Sequence, residues 1–420
     1  MHHSSVDRNA GTRAIRRVMV INECKFEGWS RSMNWRKPTQ ILLMVILAFC
    51  SLQGFTSELC GDVFAANGDR WRPTAGTVFE AFRANAPFFW NWSKNHASQF
   101  ISEKRLTLGI VMGDPHILNI ADSVINLQRK FVLIDVDDGG EAPFILDFVR
   151  LALGDLLSEN KIGFDQLWLA YVMGLSGREY FPPSILSRAL NRSWRSENEM
   201  RQKGLKKWTN DDHTRFNFEK TSALPMDNMD ECTREKYEKA KKAIRRALGD
   251  SEILDQGFLI KTTGGSQGLE RFWFLVNDDG DTKIVEFKRL GNPAVAEYKS
   301  QPISRRRLDV LTEIYRDGEN DSDFSVIEAG EADYLKRIRE KRFLDFDPSK
   351  IDSSDISDYL EMVEYIANWM GVRQARQNQG QLFREALIGV NGQEAVQAKA
   401  EVQSMVNELK KIHLQKIRQY

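Results

Sequence analysis

Cysteine is scarce in this chain. Four are present in 420 residues (Cys24, Cys50, Cys60 and Cys232), and no two stand in a CxxC spacing. That excludes a zinc ribbon and a thioredoxin-type redox motif, which both need paired thiols. The six histidines are scattered and mark no zinc site. An excess of charge is missing too, since 59 Lys and Arg balance 59 Asp and Glu. Nucleic acid is therefore not an expected partner. Long apolar runs are also absent. Ile41 to Leu52 is about a dozen mostly apolar residues, against the roughly 20 that a membrane-spanning helix needs. What remains is ordinary globular composition, 42% hydrophobic and 28% charged, on a chain long enough for two or three lobes.

The short apolar run has a meaning of its own. Arg36 and Lys37 precede it, and it begins a few residues after Met33. A basic flank and a run of this length suit a signal peptide, with Ala48-Phe49-Cys50 as a small-x-small cleavage site. The expectation is that residues 1–57 comprise an extension ahead of Met33 plus a leader. The mature chain then begins between Ser51 and Cys60 and is exported, to the periplasm, without a membrane span. If the run is a core helix instead, the protein is cytoplasmic. After export Cys60 and Cys232 remain, and whether they pair is open.

The segment from Met112 to Arg150 carries the most chemistry. It reads GDPHILN, then a β-rich run ending in IDVDD, then PFILDFVRL. Asp114 and Asn119 stand five apart in a loop, and Asp135 follows on the strand FVLID. A phosphotransferase needs one carboxylate to orient the accepting hydroxyl, and an amide and a carboxylate to hold Mg²⁺. Asp114 fits the first role, with His116 beside it. Asn119 and Asp135 fit the second, with Asp137 as a further metal ligand. An acidic turn with a helix cap is the plainer alternative. Asp147 and Arg150 read as an internal ion pair that braces the loop.

Downstream, FLIKTT, RFWFLV and KIVEFKRL form a β-meander with turn residues at both connections. Val285 and Phe287 point to one side of the third strand, Glu286 and Lys288 to the other. The loop Gly264, Gly265, Ser266 and Gly268 lets backbone N–H groups approach phosphates with no Cβ in the way. Lys288 would contact nucleotide phosphates, with Glu297 as its first-choice acidic partner and Glu313 as the second.

GDxHxxN, IDxDD and PxxxDxxRL in this order resemble the bacterial family called domain of unknown function 2252. FEAFRANAPFFW (Phe79 to Trp90), TTGGSQGLERFWFLV, KIVEFKRL and ADYLKRIREKRF are similar to further blocks of that family, over roughly residues 75 to 390. The chain departs from the family pattern at Ala84 and Thr263. It also lacks a histidine in ANWMGVRQARQ. The resemblance extends to kinase-like and aminoglycoside-phosphotransferase-like folds. It implies an α+β, two-lobed protein-kinase-like fold that binds ATP and Mg²⁺.

In such folds the glycine loop comes first, whereas here Asp114 precedes Gly264. The expected fold is therefore circularly permuted. Residues 58–250 form a mainly helical lobe with the catalytic loop, 251–345 a β-rich nucleotide-gripping lobe, and 346–420 helices that return to the first lobe. Strand-like runs are read at 306–315 and 324–335. Residues 190–248 are strongly charged, and their second part, TREKYEKAKKAIRRAL, reads as a solvated helix with i, i+4 Glu/Lys pairs. The functional expectation is transfer of phosphate from Mg-ATP to a hydroxyl acceptor that the sequence does not name. Two alternatives stay open: an inactive exported binding or scaffold protein, and transfer of AMP by the same fold.

Overall fold

The described residues combine α-helices with antiparallel β-sheet, an α+β arrangement. In the computed structural model they are residues 68, 71–72, 76–125, 128–192, 194–261, 268–317, 324–330, 332–339, 344, 351, 354–389 and 392–419. The expected leader at 1–57, and Gly264, Gly265 and Ser266, lie outside them. Among the described residues no helix is long and apolar enough to cross a membrane.

Helix α1 (Val78–Ala84) starts at Thr77 in a capping box. The Thr77 hydroxyl accepts from the Glu80 amide while Glu80 accepts from the Thr77 amide. It abuts α2 (Ala86–Phe100) at Asn85. The aromatic residues of these two helices are core: Phe79, Phe82, Phe89 and Trp90 are buried in the large cluster.

Two small ribbons follow. Strand β1 (Leu108–Val111) pairs with β4 (Gly140–Pro143), and β2 (Ile120–Ile125) pairs with β3 (Gln128–Leu133). The loops 112–119 and 134–139 therefore both run from one ribbon to the other, side by side. This is how the chain brings Asp114 next to the acidic turn. Helix α3 (Phe144–Leu157) follows directly and is buried on all sides, as an almost uniformly apolar helix must be.

Helices α4 (Phe164–Leu175) and α5 (Ser184–Leu190) come next. From the far end of the chain, α9 (Ile356–Ala375), α10 (Gly380–Ile388) and α11 (Glu394–Gln419) return to the same core. Helix α9 lies backbone to backbone on α4. A Cβ on Gly174 would stand 2.1 Å from the Asn368 carbonyl oxygen, so only glycine permits the approach. Buried Arg105 ties the end of α2 to α11 through Glu401 at 2.6 Å and through Glu394.

The second core surrounds a six-stranded antiparallel sheet. Its strands are β5 (Leu224–Pro225), β6 (Glu252–Ile260), β7 (Glu270–Asp278), β8 (Asp281–Arg289), β9 (Phe324–Ala329) and β10 (Ala332–Ile338). Their spatial order is β5-β6-β7-β8-β10-β9. Phe272, Phe274, Val285, Phe287 and Tyr334 form one face. Against it packs α7 (Glu231–Leu248) through Tyr237, Ala240, Ile244 and Leu248. Each such large apolar side chain contributes about 1.5–3 kcal/mol when buried. On the opposite face, Trp273, Leu275 and Ile284 pack with Leu205 of α6 (Trp194–Trp208), Phe216 and Ala223.

Two expectations need correction. The second part of 190–248 is not a wholly solvated helix, because one side of α7 is sheet core; its outward side carries pairs such as Glu235–Lys239, 3.0 Å apart. Beyond the sheet strands, Leu290, Ala294, Val295 and Leu308 join the large core. Residues 306–315 are not a strand but helix α8 (Arg305–Tyr315). Ser304 caps it, and Leu308, Leu311 and Tyr315 are buried along one side.

Candidate functional site

Asp147 builds the first loop. Its carboxylate accepts from the backbone amides of Met112 (2.6 Å) and Gly113 (3.1 Å), and the Trp90 indole donates to the Gly113 carbonyl at 2.6 Å. Gly113 has φ of +85°, and a Cβ there would lie 2.0 Å from the Asp138 carbonyl oxygen. The two loops touch at this glycine.

Arg150, one turn beyond Asp147 on α3, donates from Nε (2.8 Å) and Nη2 (2.6 Å) to Asp114 Oδ1. The expected Asp147–Arg150 brace is thus corrected. Asp147 holds the backbone of the loop and Arg150 holds Asp114, because both side chains leave the same side of α3. Asn119 donates from Nδ2 to the Asp114 carbonyl oxygen at 3.0 Å.

His116 completes this group. The Leu118 amide donates to Nδ1 at 3.1 Å, so the ring proton of the neutral form sits on Nε2. That N–H faces Asp114 Oδ2 at 3.3 Å. Arg83 Nε is 3.4 Å from the same nitrogen. Both atoms are donors in this tautomer, so Arg83 makes a close contact there and no carboxylate pair. Burial holds the His116 imidazole below its ordinary pKa against the pull of Asp114, which favours the neutral form. Burial also opposes ionisation of Asp114, yet Arg150 and His116 outweigh it and hold this carboxyl at about 2.

On the second loop, Lys288 reaches over from β8. Its ammonium lies 2.8 Å from Asp135 Oδ1 and 2.8 Å from Asp137 Oδ2, and its side chain is 1% exposed. The ammonium thus bridges the two carboxyls. Lys288 holds Asp135 well below the usual range despite burial. Burial and the Asp135 charge push Asp137 up to about 6. Asp138 accepts from the Ala294 amide at 3.0 Å and is pushed to about 7, by burial and then by Asp137. The backbone of the turn is clamped from α8 and its C-terminal end. Arg307 donates to the carbonyls of Asp137 (3.0 Å) and Gly139, and Arg316 to that of Leu133 at 3.0 Å.

Of the residues singled out in the sequence, Asp114, His116 and Asn119 converge on one loop. Asp135, Asp137 and Lys288 converge on the other. Glu297 is not the partner of Lys288. It lies in the short 3₁₀ turn Ala294–Glu297 beside Gly68, where its charge acts on Arg72. Glu313 is exposed on α8. Gly268 has φ of +84° and donates its amide to the Lys261 carbonyl at 2.7 Å, closing the base of the glycine loop.

The sequence did not announce the arginines around Glu286. This buried carboxylate accepts from Arg337 (2.7 Å), Arg339 (2.9 Å), Arg271 (3.5 Å) and the Trp273 indole (2.8 Å). Alternation along β8 does put Glu286 on the Lys288 side, and ADYLKRIREKRF does contain Arg337 and Arg339. Only the pairing of β10 with β8 joins them, with Arg337 opposite Glu286.

The donor chemistry suits a hard cation. Asp135, with its side chain 32% exposed, Asp137 and the Asn119 side-chain carbonyl offer oxygen donors of the kind such a cation takes. Among the described residues no three His, Cys, Asp or Glu side chains form a cage of their own. Comparison with protein-family models, with curated proteins and with solved structures finds no match for this chain.

Proposed function

We propose that the paired loops and the facing sheet form a phosphotransferase site of a two-lobed, circularly permuted kinase-like fold, taking Mg-ATP and a hydroxyl acceptor. The observation that supports this best is Lys288 on β8 meeting Asp135 and Asp137 on a loop that also touches the Asp114 loop. A lysine on a strand, an acid at a strand end and an Asp–Asn loop are the parts such chemistry needs. Asp135, Asp137 and Asn119 would hold Mg²⁺, which neutralises phosphate charge when bound. Lys288 would turn from the carboxylates toward nucleotide phosphates.

Asp114, at about 2, is too weak a base to take a proton outright at neutral pH. Its role in this reading is to orient the acceptor hydroxyl while Arg150 fixes its rotamer. Asp114→Ala then leaves nucleotide affinity nearly intact and lowers turnover by about 10² to 10⁴-fold. Calorimetric titration with Mg-ATP, followed by single-turnover transfer assays on hydroxyl compounds, separates the two effects. Equal affinity in wild type and Asp135→Ala places the site wrongly.

One observation favours a second reading, a non-catalytic binding protein. The acids are already neutralised from within, Asp114 by Arg150 and the Asp135–Asp137 pair by Lys288. A wild-type protein that binds no nucleotide with Mg²⁺ or Mn²⁺ at millimolar concentration decides for that reading.

A further inference from the structure

Arg83, half-buried in the last turn of α1, brings a second arginine to the Asp114 end of the site. Its Nε lies 3.4 Å from His116 Nε2, and that same nitrogen lies 3.3 Å from Asp114 Oδ2. One imidazole atom therefore separates the guanidinium from the carboxylate that would orient the acceptor hydroxyl. Helix α1 fixes this placement. Its first turn is set by the Thr77–Glu80 capping box, and Phe79 meets the His116 ring edge-on at 5.8 Å. Phe82 carries the Arg150 guanidinium on its face, 3.8 Å from the ring centroid.

Among the described residues Arg83 has no carboxylate partner. Glu80, its i, i+3 neighbour on the helix, is engaged by the Thr77 amide at 2.8 Å. Asp114 is taken by Arg150, whose Nε and Nη2 both donate to Oδ1. The contact with His116 satisfies neither side, because Nε2 is itself a donor to Asp114. The two outer nitrogens of Arg83, Nη1 and Nη2, meet no acceptor among the described residues. Arg150 Nη1 is also unpartnered but buried, whereas the Arg83 pair stays open to a ligand from solvent. Charge points the same way. Arg150 offsets Asp114, and burial favours the neutral form of His116. Arg83 is then surplus positive charge beside the place of the acceptor hydroxyl. A guanidinium with one edge unspent presents parallel N–H groups that carboxylate and phosphate oxygens match.

We infer that Arg83 selects the acceptor, by binding an oxyanion that the acceptor carries next to the hydroxyl oriented by Asp114. The acceptor assignment rests on the phosphotransferase reading above; oxyanion binding by Arg83 does not. Lys288, engaged by Asp135 and Asp137 on the other loop, is left for the nucleotide. The substrate class is then an anionic alcohol, a hydroxy acid or a phosphorylated alcohol. Neutral and cationic alcohols are poor acceptors, since they leave the Arg83 charge without a partner.

The test has two parts, both on the full chain. In the first, without metal or nucleotide, sodium phosphate and sodium acetate are titrated into wild type, Arg83→Gln and Arg83→Lys. Binding is read by calorimetry and thermal shift against sodium chloride of equal ionic strength. Wild type is expected to bind at least one of the two, and which one tells a phosphorylated alcohol from a hydroxy acid. Arg83→Gln is expected to bind that anion about tenfold more weakly, and Arg83→Lys to recover part of the loss. No carboxylate pair is broken in either variant, so both should fold; circular-dichroism spectra and melting profiles in chloride verify this. No binding beyond the chloride control, or equal binding by wild type and Arg83→Gln, overturns the oxyanion role. Loss of the fold in both variants overturns it too, since Arg83 is then a structural residue. In the second part, initial rates of transfer from Mg-ATP are measured with glycerol 3-phosphate, glycerate, glycerol and choline. Transfer confined to an anionic acceptor, with Arg83→Gln raising its KM about tenfold and changing kcat little, supports the acceptor assignment. Transfer to glycerol or choline as readily, a loss confined to kcat, or Mg-ATP binding with transfer to none of the four overturns it. If wild type binds no Mg-ATP, the phosphotransferase reading and the acceptor assignment fall together, while the first part still decides on Arg83.

Discussion

The Lys288 ammonium lies 2.8 Å from Asp135, 153 residues away in sequence. It bridges Asp135 to Asp137 and joins the sheet to the acidic turn. Removing one partner of a buried ion pair leaves an uncompensated charge and costs about 3–5 kcal/mol. Lys288→Met is expected to lower the unfolding free energy by about that amount at pH 7, and a second change, Asp135→Asn, to restore part of it. Urea denaturation of the two variants checks this. A Lys288→Met variant as stable as wild type would mean the bridge is absent in solution.

Arg150 and Asp114 make the matching pair in the other loop. Arg150 also stacks on Phe82, 3.8 Å from the ring centroid, and donates to the Phe82 carbonyl. Arg150→Met is expected to cost about 3–5 kcal/mol, and Asp114→Asn less, because the amide keeps a neutral oxygen toward Arg150. A double-mutant cycle measures their coupling. Additive losses would show that the two side chains do not share an interaction.

Acidity gives a third handle. Asp137, Asp138 and Asp147 are raised from 3.8 to about 6, 7 and 7, Asp147 because burial outweighs the amides of Met112 and Gly113. A carboxyl raised on folding binds its proton more tightly in the folded state. Its contribution is full below about pH 4 and is lost as pH rises through 6 to 7. Asp114, Asp135 and Glu286 are depressed, so theirs is present above about pH 4 and lost on further acidification. Together these groups favour a stability maximum on the acid side of neutrality. Asp147→Asn should flatten the decline between pH 5 and 8, read as urea midpoints at four pH values. A variant that declines as steeply as wild type would remove Asp147 from the account.

Much of the site could be read from the chain. The loop residues Asp114, His116 and Asn119 are local, and five-residue spacing was enough to group them. Glu286 and Lys288 followed from alternation along one strand. Partners distant in sequence were not legible. Glu297 stood close to Lys288 along the chain, but strand β8 aims Lys288 across at Asp135. Arg150 looked like a partner for Asp147 because i, i+3 residues are neighbours on a helix. The loop instead offered Asp147 two amides and Arg150 a carboxylate. Residues 306–315 carry two periods at once. Leu308, Val310, Thr312 and Ile314 alternate like a strand, while Leu308, Leu311 and Tyr315 recur like a helix. The Ser304 cap and the waiting core decided for the helix, and with it the placing of Arg307 on the acidic turn.

The central claim is that Lys288 and Asp135 form the nucleotide end of a site. It is tested most directly by calorimetric titration of ATP with and without Mg²⁺ on wild type, Lys288→Met and Asp135→Asn, at a pH where all three are folded. The account predicts binding by wild type that needs the metal. Asp135→Asn should lose that dependence together with most of the affinity, and Lys288→Met should weaken binding while leaving the metal requirement in place. Metal-dependent ATP binding of equal strength in all three proteins would contradict it.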